Sequence, residues 1–362
     1  MTRFAHHLQQ QTINNPFPGI VRLEAALGHP VTARLGSNEC AQQDDSPLAR
    51  LGGQLAELAR LYPDPYAHAL RELAAAGNGV RAANVVFDTG ADSLILLALR
   101  LFCSVGDTVL TSAGSYPTFN YFAQGQGLHV VEVPYASGGD RLAPDLAALA
   151  DAVRRYGARL VYLANPDNPS GHYWSADAVQ SFKSALPADC VLLLDEAYVD
   201  FCVDVADAPP PGVLDGVIRL RTLSKAYALA GLRVGYAIAA EDVVDKADQI
   251  RPQFALSSVA QLAAQLVLED RAFSARLVAD TVALRERLAA ALTARGGCVL
   301  PSRTNFVALR YASADEALTR QRALLQQGIA VHRPPHPAMQ RLLRLTAQPQ
   351  ALDEAVLAAL TA

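Results

Sequence analysis

Val85-Val86-Phe87 leads into Gly90-Ala91-Asp92-Ser93 and then into a strongly apolar stretch, 94–102. A short apolar run, a glycine-led turn and an apolar segment of helix length make one strand–turn–helix unit. Similar runs recur downstream. Residues 108–111 read as another strand, followed by the turn Gly114-Ser115-Tyr116-Pro117, and further strands are expected at 130–133, 160–164, 191–194, 217–220 and 235–239. The runs are continuous rather than alternating, so the sheet is expected to be buried on both faces. With helical periodicity between them, that means a mostly parallel α/β sheet.

The flanks differ from this block. Residues 1–15 are polar and lack a signal peptide's hydrophobic stretch. Asn14-Asn15-Pro16-Phe17-Pro18-Gly19 is turn-rich and precedes a short apolar stretch, which suggests an arm over 1–33 that packs on something else. Beyond Arg251-Pro252 an Ala/Leu-rich amphipathic segment, 260–295, predicts one or two long helices. A strand at 305–310, a helix at 314–327, a strand at 329–332 and a terminal helix from Leu352 then suggest a smaller α+β unit. The expected division is an arm at 1–33, a large domain at 34–250 and a small domain at 251–362.

The 362 residues are 51% hydrophobic, enough for a substantial core, and the net charge of −4 argues against non-specific binding to nucleic acid or an anionic membrane. No apolar run reaches the roughly 18 residues that would span a bilayer, and a cytoplasmic protein is the expectation. Five cysteines, none in a C-x-x-C pair, suggest neither a disulfide framework nor a zinc site, and no metal is expected. Only three lysines occur, Lys183, Lys225 and Lys246, so chemistry that needs a primary amine must choose among them.

Lys225 stands out. It lies in Thr222-Leu223-Ser224-Lys225-Ala226-Tyr227, just past the apolar strand at 217–220, whereas Lys183 and Lys246 sit in polar helical contexts. An amine at the end of a buried strand suits Schiff-base chemistry, which requires a pKa lowered by desolvation or neighbouring positive charge. Arg233, eight residues on, can supply that charge and bind a phosphate. Asp195, in Leu192-Leu193-Leu194-Asp195-Glu196-Ala197-Tyr198, falls at another strand end, where α/β sheets build their sites. A carboxylate there can keep a ring nitrogen protonated; taken alone, it reads equally as a helix N-cap. Asn165-Pro166-Asp167-Asn168-Pro169-Ser170-Gly171 presents the Asn168 amide at the same edge, although in isolation it is an ordinary turn. Gly90, Ala91 and Asp92 open a helix whose free N–H groups suit a phosphate. Together these features would bind a phosphorylated aldehyde containing a ring nitrogen.

The order and spacing resemble the fold type I pyridoxal-phosphate aminotransferases, specifically the histidinol-phosphate aminotransferase branch. The segment 224–236, Ser-Lys-Ala-Tyr-Ala-Leu-Ala-Gly-Leu-Arg-Val-Gly-Tyr, carries the likeness most specifically, supported by 194–198, 165–171 and Tyr62-Pro63-Asp64. The resemblance implies a large domain with a mostly parallel seven-stranded sheet flanked by helices, plus a smaller α+β domain. It implies pyridoxal 5′-phosphate as cofactor, an amino donor and a 2-oxo acid such as 2-oxoglutarate as substrates, and a homodimer. By the same resemblance Lys225 would form the Schiff base, Asp195 would pair with the pyridine nitrogen, and Tyr198 and Asn168 would bond the ring hydroxyl. Tyr116 would stack on the ring. Ala91, Asp92, Ser224, Arg233 and Thr222 would hold the phosphate beside Gly90, and Tyr62 would reach the partner subunit's cofactor. Arg344 would grip the substrate's carboxylate or phosphate.

Three departures fall on the substrate side. The family's Asn-Glu-Asn-Pro is Asn38-Glu39-Cys40-Ala41 here, its arm tyrosine is Phe17, and the place of its second anion-binding arginine holds His332, with Arg333 one residue late. A one-residue slip on a strand turns a side chain to the opposite face. Either a bulge restores Arg333 or the pocket has lost a clamp. Histidinol phosphate as amino donor, an aminotransferase for aromatic or other amino acids, and a decarboxylase of a phosphorylated amino acid therefore all stay open.

Overall fold

The computed structural model describes residues 3–9, 12–17, 19–41, 45–138, 141–203 and 212–361. The expectations for Met1, Gln10, Gln11 and Pro18 lie outside the described residues. Seven strands form the central sheet: β1 (Val85–Asp88), β2 (Thr108–Ser112), β3 (His129–Val133), β4 (Leu160–Ala164), β5 (Val191–Asp195), β6 (Val217–Thr222) and β7 (Gly235–Ile238). Their spatial order is β1-β7-β6-β5-β4-β2-β3. Only β7 is antiparallel to its neighbours; β6, β5, β4, β2 and β3 pair in parallel.

The unbroken apolar runs follow from this burial. Along β4, Leu160, Tyr162 and Ala164 enter the core on one face, with Leu94, Ile95 and Leu99 of helix α1 (Gly90–Phe102). Val161 and Leu163 enter the core on the other face, with Leu149, Val153 and Phe182. Alternate side chains serve opposite layers, so every position must be apolar. β6 runs past the expected end at 220 because Arg221 and Thr222 still pair with Tyr236 and Gly235 of β7. Its buried Arg219 and partly buried Arg221 are compatible with a core strand because Glu196 accepts from Arg219 Nε at 3.1 Å and from Arg221 Nε at 2.7 Å.

The segment expected to form one or two long helices forms two, α2 (Ser258–Glu269) and α3 (Arg271–Ala294), separated at Asp270, whose carboxylate caps the second by accepting from Phe273 N. A three-stranded antiparallel sheet follows, made of Val299–Leu300, β8 (Phe306–Arg310) and β9 (Leu342–Thr346). The strand expected at 329–332 covers only Ile329–Ala330, which pairs in parallel with Ala33–Arg34. β9 was not anticipated.

Packing changes hands inside α3. Leu256, Ala260, Phe273 and Leu277 join the cluster of Val85, Phe87 and Ile238, whereas Leu288 and Leu292 join Val307, Leu343 and Leu35. Residues just past 251 therefore pack on the central sheet, and Leu35 packs with the C-terminal strands. Among the described residues no helix is long and apolar enough to cross a membrane.

Gly235 brings β7 against the start of α1: a Cβ there would lie 2.9 Å from Ala91 N, Arg221 O and Gly90 C, all backbone atoms. Gly235→Ala is expected to destabilise the protein by about 1–3 kcal/mol in urea titration. Gly231→Ala, where a Cβ meets nothing within 4 Å, should stay within about 0.5 kcal/mol of wild type.

Candidate active site

Because β1, β2, β4, β5 and β6 point the same way, their carboxyl ends share one edge of the sheet. From that edge come Gly90, Tyr116, Asn168, Asp195, Ser224 and Lys225. β7 starts at the same edge because it is antiparallel, which brings in Arg233 just before it. Segment 36–39 and Arg344 close the far side, and the enclosed cavity is about 710 Å³.

One end of the cavity suits an anion. Ala91 and Asp92 line it at the start of α1, and the N-cap Thr89 makes no side-chain cap bond to the helix; its hydroxyl donates to Asp88 Oδ1 at 2.9 Å. The first helical N–H groups are thus left for something else. Arg233 Nη1 donates to Ser224 Oγ at 3.3 Å, and Thr222 Oγ1 donates to the same oxygen at 3.0 Å. Tyr116 Oη donates to Asp92 Oδ1 at 2.9 Å. Gly90 has φ +80°, and a Cβ on it would lie 2.8 Å from Arg233 Nη2, so this position both requires glycine and makes room for the guanidinium.

Asp195 stands at the end of β5 with two hydrogen bonds: Tyr162 Oη donates to Oδ2 at 2.6 Å and Ala197 N to Oδ1 at 3.0 Å. Burial raises its pKa to about 6, against the lowering effect of those donors. Lys225 Nζ donates to the Asn38 carbonyl at 3.1 Å. Burial lowers its pKa to about 8, and the charges of Arg344 and Arg233 act in the same direction. The Tyr198 hydroxyl accepts from Asn38 Nδ2 at 2.7 Å. Arg344 donates through Nη1 to Asn168 Oδ1 and through Nη2 to Gly36 O at 2.7 Å, while its buried Nε has no partner.

Not every expected residue gathers here. Tyr62 is 85% exposed, its ring tilted against that of Phe254 at 4.8 Å, and does not line the cavity. Arg333 borders the cavity, but its guanidinium donates to Gln340 O at 3.0 Å, Gln340 Oε1 at 3.2 Å and Ala314 O at 3.4 Å. Phe17 sits at the mouth, 6.2 Å from the Tyr116 ring. Asn38, buried with φ 56°, turns its amide to Tyr198. The sequence reading missed Tyr162, a polar tip inside an otherwise apolar strand, and Asn305, which donates to Asn38 O at 3.1 Å.

Residues 33–360 match the model of the family "Aminotransferase class I and II". The chain belongs to this family. Over 98% of its length this aminotransferase is 36% identical to a histidinol-phosphate aminotransferase of Anaeromyxobacter sp. (strain Fw109-5), of which 97% is covered. It is 37% identical to an aromatic amino acid aminotransferase of Nocardia farcinica over 77% of this chain and 78% of that relative. The crystal structure of histidinol-phosphate aminotransferase from Sinorhizobium meliloti in complex with pyridoxal-5′-phosphate superposes with a TM-score of 0.90 at 35% identity, covering 100% of this chain and 96% of that one.

The cofactor of this aminotransferase is pyridoxal 5′-phosphate, and the side chains present fit it. The glycine-made space beside Arg233 and the helix N-terminus left without a side-chain cap suit a phosphate. A buried carboxylate suits a protonated ring nitrogen, and an amine of lowered pKa suits an aldehyde.

An ammonium titrating at about 8 is nucleophilic only once deprotonated, so reactivity rises with pH through that value. Acylation of the Lys225 peptide in the cofactor-free protein, followed by mass spectrometry across pH, is expected to reach half its maximal rate near pH 8. A midpoint near the ordinary 10.5 would contradict the lowered pKa.

Proposed function

We propose that this aminotransferase moves an amino group from an amino donor to a 2-oxo acid such as 2-oxoglutarate, with Lys225 as covalent anchor for the cofactor and as proton carrier. The observation that carries the reading is Lys225, its amine lowered to about 8, at the same sheet edge as the buried Asp195. Pyridoxal phosphate, when bound, supplies an electron sink for negative charge developing at the substrate Cα. Lys225 takes the proton from the substrate Cα and would release it on the cofactor side of the amino nitrogen, since a proton put back on Cα would undo the transfer; the task favours a pKa near the working pH. Asp195 holds the ring nitrogen protonated, and a carboxylate raised to about 6 by burial gains much from a cationic partner.

Tyr198 and Asn168 bond the ring hydroxyl, and Tyr116 covers one ring face with its hydroxyl tied back to Asp92. The Ala91 and Asp92 amides, Ser224, Thr222 and Arg233 hold the phosphate. Arg344 grips the anionic group of the amino donor through its planar fork; its unpartnered Nε supports this assignment. Two kinds of anion suit that fork: the phosphate of histidinol phosphate, the substrate in the names of several relatives, and an amino-acid carboxylate, as in the aromatic amino acid aminotransferase.

The reading includes a homodimer. Tyr62, Phe254 and Leu61 form an exposed apolar patch away from their own cavity, which supports Tyr62 reaching the partner's site. It also includes a cytoplasmic location, in keeping with five free cysteines. The division into arm, large domain and small domain suits this chemistry, with the handover inside α3.

Lys225→Ala is expected to give folded protein by circular dichroism that retains no cofactor after borohydride reduction and shows no amino transfer. Full turnover in that variant would reject the reading. Asp195→Asn should still fix the cofactor to Lys225 under borohydride yet lose at least about 100-fold in kcat, since a neutral amide cannot sustain the ring's positive charge. Release of carbon dioxide in place of amino transfer would show the decarboxylase instead.

A further inference from the structure

Away from Arg233, the deep guanidinium among the described residues of the cavity is Arg344. His332 and Arg344 form an antiparallel bridge, His332 N donating to Arg344 O at 3.1 Å and Arg344 N to His332 O at 2.7 Å. Residues directly opposite in such a bridge put their side chains on the same face. The imidazole therefore stands beside the Arg344 fork, and the next residue, Arg333, turns away to Gln340 and Ala314. No bulge restores it. Burial, reinforced by the Arg344 charge, holds the His332 imidazole well below its ordinary pKa and so neutral.

Among the described residues lining this side, Arg34 is the cation besides Arg333 and Arg344. It is half-exposed and paired with Glu39 at 2.6 Å. Between the rim and Arg344 the wall is apolar and aromatic: Phe17, Ile20, Leu23, Leu325 and Val331. The Phe17 ring lies 6.4 Å from His332 and 6.2 Å from Tyr116.

A lone guanidinium balances the single charge of a carboxylate. A phosphomonoester carries about −1.5 to −2 near neutral pH, and the excess would lie against a neutral ring and aliphatic side chains. We propose that this aminotransferase prefers amino acids, one carboxylate on Arg344 and an uncharged apolar or aromatic side chain against the Phe17 wall, over phosphorylated amino alcohols. His332 is the specificity-determining residue. The inference rests on the assignment of Arg344 as the anion anchor in the proposed reaction.

The test is single-turnover amino transfer by the cofactor-loaded enzyme with L-phenylalanine or histidinol phosphate as amino donor. Phenylalanine is expected to exceed histidinol phosphate in kcat/KM by at least about 10-fold, mainly through KM. His332→Arg should raise kcat/KM for histidinol phosphate at least about 10-fold and lower that ratio, whereas neutral His332→Gln should keep the ratio within about threefold of wild type. Histidinol phosphate as the better donor of wild type, or a ratio unmoved in a folded His332→Arg, overturns the proposal. If neither donor reacts while borohydride still fixes the cofactor to Lys225, this inference falls and the anchor stands; loss of fixation as well removes the wider reading.

Discussion

A primary amine set between two guanidiniums, with a buried carboxylate at the same sheet edge, is the constraint that organises this molecule. Placing Lys225 where Arg344 and Arg233 both disfavour its proton is electrostatically costly. The fold supports it with backbone carbonyls: Nζ donates to Asn38 O at 3.1 Å and to Ser37 O at 3.5 Å. Carbonyls solvate an ammonium without fixing it, so the group is charged at low pH and free at moderately higher pH. A carboxylate in that place would lock the proton on.

Those carbonyls must themselves be held, and the network around Asn38 does this. Asn38 N donates to Thr346 Oγ1 at 3.0 Å, Thr346 Oγ1 donates to Leu35 O at 3.0 Å, and Asn305 Nδ2 donates to Asn38 O at 3.1 Å. The Asn38 amide reaches Tyr198 at 2.7 Å. One left-handed residue thus joins the loop after Ala33–Arg34, strands β8 and β9, and the tyrosine after β5. The C-terminal sheet is thereby part of the site.

Much of this was legible in the sequence, for physical reasons. The central strands declare themselves because they are buried on both faces, and Lys225 and Asp195 were singled out because polar residues at strand ends interrupt apolar runs, whereas Asn168 alone read as a turn residue and Arg233 as a charge eight residues past Lys225. What stayed hidden depends on pairing. β9 is a five-residue run whose arginine looks like an interruption, and it becomes a strand only because β8 lies beside it. Tyr162 reads as one more apolar residue until its hydroxyl is seen on Asp195, and Asn305 sits 267 positions from the carbonyl it serves. The packing handover within α3 was invisible for a similar reason: buried side chains, Phe273, Leu277, Leu288 and Leu292 among them, run the length of the helix, and only their partners differ from end to end.

The ambiguity between His332 and Arg333 belongs to the same class. Composition offers an arginine one residue away from where one is wanted, and chemistry alone would accept it. Register decides against it, because the bridge of His332 to Arg344 fixes which side chain faces the cavity, and Arg333 already has three acceptors elsewhere. To bring Arg333 inward would require breaking those bonds and the bridge together, at about 1 kcal/mol net for each, while seating a second guanidinium beside Arg344. A neutral imidazole avoids that repulsion. The bridge therefore sets a neutral imidazole, not a second guanidinium, beside Arg344.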